Sequence, residues 1–141
     1  LGCRSVSKLF VPENYDFEPF LQLLHDESAP ILNEHNQYLN NLEYQKAIRL
    51  MNKQTYLDAG TFLLDKEDGY SSPISVLYYD YYHNTQEINT LLNKEANILQ
   101  CIVSNNNQIE KSIPFGKAQS PDLLDYPDGV DILQFLGNLT H

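Results

Sequence analysis

A cysteine stands near the beginning of the chain, in the run Leu1-Gly2-Cys3-Arg4-Ser5-Val6-Ser7-Lys8-Leu9-Phe10-Val11. A small residue precedes it, small or polar residues follow, and a basic residue then leads into an apolar run. A nucleophilic thiol is often presented this way, on a tight loop with a free backbone N–H, just ahead of a buried strand. Its chemistry is attack by the thiolate on an electrophilic acyl carbon. Arg4 and Lys8 can lower a thiol pKa by their charge, or equally point to solvent. No histidine is close in sequence to act as its base, so local context leaves an incidental cysteine as the competing reading. The chain lacks an initiator methionine and opens inside this feature. It therefore reads as the C-terminal piece of a longer protein, cut almost at its active site.

Other chemistry-bearing residues are less informative. Cys101 falls in an apolar run and reads as an inert buried thiol. Neither cysteine belongs to a C-x-x-C pair, and His25, His35, His83 and His141 show no ligand spacing with them, so no zinc site is expected. Two isolated cysteines make no disulfide scaffold. The cluster Tyr78, Tyr79, Tyr81 and Tyr82 reads as a strand dividing its rings between core and surface rather than as a recognition patch. Met51 reads as packing. Neither a G-x-G-x-x-G loop nor a Walker loop occurs, so any nucleotide must be held mainly elsewhere.

Composition narrows the class. A chain of 141 residues is long enough for one domain, taken as residues 1–141, with a sizeable core. The 19 acidic residues outnumber 9 basic ones for a net charge of −10, which leaves no basic stripe for a nucleic acid or an anionic membrane. No run approaches the roughly 18 apolar residues of a membrane span. A cytoplasmic protein is the default expectation.

The elements that must position these residues follow from pattern. Residues 7–11 read as a strand stopped by Pro12. Asp16 is placed to cap a helix, with Tyr15 and Phe20 as a hydrophobic staple, and Phe17, Phe20, Leu21 and Leu24 recur at helical spacing until Pro30 ends it. A second helix is expected over about 36–52, with Leu39, Leu42, Ile48 and Met51 as core positions. Asp58-Ala59-Gly60 is a turn before a strand at Thr61–Leu64, and Asp65–Tyr70 a polar turn. Ile74–Tyr79 is a strong strand signal. Asn84 and Glu87 open a third helix faced by Ile88, Leu91 and Leu92. Ile98–Val103 reads as a buried strand, Asn105–Asn107 as a loop, and the final apolar run, Ile132–Leu136, as a strand. This alternation predicts an α/β fold with a mainly parallel sheet flanked by helices.

Far downstream of Cys3 lies Pro114-Phe115-Gly116-Lys117. Taken with the lead segment, it makes the chain resemble the aldehyde dehydrogenase superfamily. There the nucleophilic cysteine is followed by small residues, a Ser-Arg pair and a strand of the form T-F-V; here Cys3, Ser7-Lys8 and Phe10-Val11 match, with Lys8 replacing the arginine. The superfamily's late Pro-Phe-Gly-Gly is matched by Pro114-Phe115-Gly116, with Lys117 replacing the second glycine. The runs Glu34–Asn41, Ile113–Pro121 and Asp125–Asp131 look more specifically like the acyl-CoA reductase branch, related to the fatty-acid reductase of bacterial luminescence. The Glu-x-Phe-Gly-Pro run that contacts the cofactor in oxidising members corresponds to Gly69–Pro73, where only Pro73 is clearly kept. No cofactor contact is carried over, although Glu67 or Asp68 can substitute for the acid.

This resemblance implies an aldehyde-dehydrogenase-like catalytic-domain fragment whose dinucleotide-binding part lies outside the chain. Cys3 would be the nucleophile, Phe115 would line the acyl channel, and acyl-CoA or an acyl-carrier thioester would be reduced to a fatty aldehyde with NADPH or NADH. His35 would be a structural helix-start residue more readily than a site residue. A fragment of this kind is expected to be inactive alone and to self-associate through apolar surface its missing half would cover. The rival readings are a non-catalytic α/β interaction module and an aldehyde-oxidising dehydrogenase.

Overall fold

The computed structural model describes residues 5–120 and 131–138. Cys3, Arg4, most of the run Asp125–Asp131 and His141 lie outside the described residues. The fold is mixed α/β with a mostly parallel sheet and, among the described residues, four helices. Among the described residues the chain divides into two compact units: residues 6–84, and Ser5 with the part that follows from Thr85.

The first unit is built on a sheet of order β1-β4-β3-β2, from β1 (Lys8–Pro12), β2 (Leu57–Asp58), β3 (Leu63–Lys66) and β4 (Val76–Tyr82). β4 is parallel to both β1 and β3, and only the short β2 runs antiparallel. Successive side chains point to opposite faces of a strand, so each face receives its own apolar set. Val11, Leu64 and Leu77 pack with Phe17, Phe20, Leu21 and Leu24 of the first helical segment. On the other face, Leu63 and Val76 pack with Leu42. Burial on both faces is the usual condition of a parallel sheet.

Helix α1 (Glu18–Leu32) begins one residue later than the Asp16 cap predicts: Phe17 holds the cap position. Asp16 still serves the helix start, its Oδ1 accepting the Glu18 N–H at 3.0 Å. The Tyr15 ring meets Phe17 edge-on, with centroids 5.0 Å apart, and Phe17 in turn lies 4.7 Å from Tyr79. Pro30 is inside the helix rather than at its end. It removes one donor close to the C-terminus, where the Asn33 N–H still bonds the Ala29 carbonyl and the last turn survives.

Helix α2 (Asn36–Asn52) matches the expected range, but its buried stripe is Tyr38, Leu42, Gln45 and Arg49. Met51, expected in the core, is 84% exposed. Leu42 is common to the expected and the observed positions, and the stripe is completed by two polar residues because Arg49 finds a buried partner in β3. That partner is Asp65, which the sequence pattern assigned to a polar turn and which is instead a buried strand residue.

The second unit contains α3 (Thr85–Lys94), β5 (Ile102–Val103), β6 (Ser112–Ile113) and α4 (Ile132–Asn138), with β5 and β6 parallel. The expected buried strand at Ile98–Val103 shrinks to its last two residues, both only half-buried, and Ile98 is exposed. Residues 95–98 instead continue from α3 in turns, with the Ile98 N–H on the Glu95 carbonyl. The final apolar run is a helix, not a strand. Asp131 decides this locally: its Oδ1 accepts the Gln134 N–H at 3.0 Å and its carbonyl accepts the Phe135 N–H at 2.9 Å.

Candidate functional site

Register places Lys8 of β1 beside Tyr78 of β4, and Tyr78 beside Asp65 of β3. Paired positions share a sheet face, so these three side chains form one row on the face that also carries Leu63, Val76 and α2. Asp65 anchors one end of the row. Its Oδ2 accepts from Arg49 Nε at 2.8 Å and also from Arg49 Nη2, while Arg49 Nη1 donates to the Gln45 carbonyl at 2.9 Å and to Gln45 Oε1 at 2.8 Å. Arg49 and Asp65 side chains are 6% and 8% exposed, which makes this a desolvated pair rather than a surface one. Asp65 Oδ1 is buried without a protein partner. Desolvation raises the Tyr78 pKa, with Glu67 and Asp65 adding to the rise and Arg49 opposing it.

Lys8 closes the other end of the row. Its Nζ donates to the Glu67 carbonyl at 2.8 Å and to the Asp68 carbonyl at 2.9 Å. The same ammonium lies 4.8 Å from the Tyr70 ring centroid and 5.2 Å from that of Phe10. The sequence expectation of a charge free in solvent does not describe this cage. The β3–β4 connection, residues 67–75, thus lies at the lead-in to β1. That connection includes Pro73, the one residue kept from the cofactor-contacting run. Its far end is fixed by Ser75, which is buried, has φ 67°, and donates to Asn41 Oδ1 at 3.1 Å.

In the second unit Phe115 is on a turn, with the Lys117 N–H on the Pro114 carbonyl at 3.2 Å and Gly116 at φ 78°. A positive φ at the third turn position is what glycine supplies cheaply, and a Cβ there would meet nothing within 4 Å, so backbone conformation alone asks for it. The Phe115 N–H bonds Asn105 Oδ1 at 3.0 Å, and its ring is 65% exposed rather than part of a core. Cys101 is half-buried and free, not fully buried as expected. It borders a cavity of about 150 Å³ with Leu92, Asn93, Leu99 and Lys111. His35 precedes α2 with only its backbone engaged in the helix start, its carbonyl accepting the Leu39 N–H at 3.1 Å.

The structure therefore brings Lys8, the first residue of β1, together with the 67–75 connection. Cys3 lies outside the described residues, and Phe115 belongs to the second unit. Sequence reasoning missed Arg49 and Asp65. Their signal was present: Tyr38, Leu42, Gln45 and Arg49 recur at one helical spacing, and an arginine on an inward stripe requires a buried acid. No helix among the described residues is long and apolar enough to cross a membrane. No protein-family model, curated protein or solved structure matches the chain.

Proposed function

We propose that the chain is the C-terminal catalytic portion of an acyl-thioester reductase, with Cys3 as nucleophile and acyl-CoA or an acyl-carrier thioester as substrate. The observation that supports it best is that Lys8, which stands where the superfamily has an arginine after its cysteine, is held against the 67–75 connection. The resemblance to the acyl-CoA reductase branch sets the Cys3 segment beside the reacting carbon and matches the 67–75 connection only at Pro73.

In this reading the Cys3 thiolate attacks the acyl carbonyl carbon and the carrier leaves as a thiolate, giving a thioacyl enzyme. The thioacyl group on Cys3 would be reduced to a thiohemiacetal oxyanion by hydride that bound NADPH or NADH would supply. Collapse of that adduct releases a fatty aldehyde and returns the electron pair of the C–S bond to Cys3. The Cys3 backbone N–H is the natural donor to the developing oxyanion, and one such donor is worth about 3 kcal/mol. Phe115 lines the acyl channel. Only Pro73 of the cofactor-contacting run is kept, so no cofactor contact is assigned to this connection, and the dinucleotide is bound mainly by residues outside the chain. A cytoplasmic setting and self-association belong to the same reading.

The test is consumption of NADPH or NADH by the full-length protein. Oxidation of the cofactor that depends on added acyl-CoA and yields aldehyde in equal amount is expected. Aldehyde-dependent reduction of NAD(P)⁺ to release free carboxylate, with no acyl-CoA turnover, would assign it to the oxidising dehydrogenases instead. No turnover of either kind would favour a binding module.

A further inference from the structure

Neighbouring parallel strands must be joined by a chain that returns along the sheet, ordinarily about a dozen residues or more and often a helix. Residues 67–75 make the return from β3 to β4 without a helix. Both ends of this connection are tied to the sheet: the Glu67 N–H donates to the Tyr79 carbonyl at 3.3 Å, and the Ser75 carbonyl accepts the Leu63 N–H at 2.9 Å. Between those ends only Tyr70 and Ser72 are half-buried, and the other residues are exposed. A Cβ on Gly69 would stand 3.4 Å from the Tyr78 ring, and Tyr70 approaches Phe10 with centroids 6.3 Å apart. The connection thus lies over Phe10 and Tyr78 with little burial of its own.

Four groups converge on one point where it crosses. The carbonyls of Glu67 and Asp68 stand 2.8 and 2.9 Å from Lys8 Nζ, and the ring centroids of Tyr70 and Phe10 lie 4.8 and 5.2 Å from it. Carbonyl oxygens and aromatic faces both present negative charge density to a cation. We propose that this cage is a binding site for a primary ammonium, filled in cis by Lys8, and that filling it latches the 67–75 connection onto the sheet. The carbonyls require a donor: a primary ammonium has three N–H groups, two of them committed here, whereas a quaternary ammonium has none. Three of the four cage groups belong to the connection, and the fourth, Phe10, belongs to β1. The ammonium is therefore the group they share, and withdrawing it removes the contacts that join them. The carboxylates of Asp80, Asp68 and Glu67 favour its charged form, although burial, the larger effect, draws the Lys8 pKa below its ordinary 10.5. All of these residues lie in the first unit, and the inference needs no reductase chemistry.

Limited proteolysis of the full-length protein reads the latch, because cleavage tracks how often a segment opens when opening is fast relative to cutting. Lys8→Met keeps the apolar stem and removes the ammonium. It is expected to speed chymotryptic cleavage after Tyr70 by about 10-fold, the scale of one lost charge-assisted hydrogen bond. Cleavage after Tyr44, in α2, should stay at the wild-type rate and reports that the unit is still folded. Lys8→Ala leaves room for a soluble ammonium in place of the side chain, and carries the test if Lys8→Met does not fold. Its cleavage after Tyr70 should be equally fast, and should slow towards the wild-type rate in n-propylammonium chloride but not in tetramethylammonium chloride at equal concentration. Wild-type cleavage after Tyr70 in Lys8→Met would show that the ammonium does not hold the connection. Fast cleavage of Lys8→Ala that propylammonium leaves unchanged, or that tetramethylammonium slows equally, would overturn the cage as a primary-ammonium site.

Discussion

Replacing Cys3 with alanine in the full-length protein is expected to lower kcat for acyl-thioester reduction by on the order of 10⁴-fold or more, the scale on which covalent nucleophiles act. At 1.36 kcal/mol per tenfold that is roughly 5 kcal/mol of barrier. The loss should appear in kcat and kcat/KM alike, because the S–C bond exists only after the substrate is bound. Cys101→Ala is the matched control. Cys101 is half-buried beside a cavity in the second unit, so its truncation should leave turnover within about twofold and lower stability only slightly, as expected of a small partly exposed side chain. Steady-state kinetics on the two variants separates the thiols. Equal activity of Cys3→Ala and wild type would remove the nucleophile from the account.

The second large effect is on folding. Arg49→Met should destabilise the protein by about 3–5 kcal/mol, since it leaves a buried carboxylate without its cation. Asp65 already has one oxygen without a protein partner, and the substitution would strip the other. A double variant, Arg49→Met with Asp65→Leu, should regain most of the loss, because apolar replacement of both members of a buried pair is often neutral. The denaturant midpoints of wild type, the single variants and the double variant give the coupling directly. A single-variant cost below about 1 kcal/mol would be that of an exposed pair, and would contradict the burial of Arg49 and Asp65.

Legibility in the sequence followed the range of the forces involved. α2, α3 and β1 were readable because their patterns are local: spacing for the helices, and the run Leu9-Phe10-Val11 for the strand, which takes in Pro12 as its last residue instead of stopping before it. Asp65 was not, because an acidic residue after Leu63-Leu64 looks like a turn until Arg49, sixteen positions away, is known to face it. The same pairing moved Met51 out of the core. Ile132–Leu136 failed for the opposite reason: the run is too short for periodicity to separate helix from strand, and the Asp131 cap settles it. Cys3 and Phe115 are expectations from motif, the first outside the described residues and the second in the other unit, while the Lys8 cage was beyond reach. Its partners are two backbone carbonyls, and a carbonyl carries no sequence signature. The parallel placement of β1 beside β4, which brings those carbonyls to Lys8, is a long-range fact that neither segment encodes alone.

The most direct measurement is to trap the acyl group. Full-length protein incubated with acyl-CoA and no nicotinamide cofactor, quenched in acid and digested, should carry the acyl mass on the peptide containing Cys3, with one equivalent of coenzyme A released. Addition of NADPH or NADH before the quench should discharge that mass as aldehyde. An acyl group found on Cys101, or no acyl-peptide while aldehyde still forms, would contradict the assignment of Cys3 as the nucleophile.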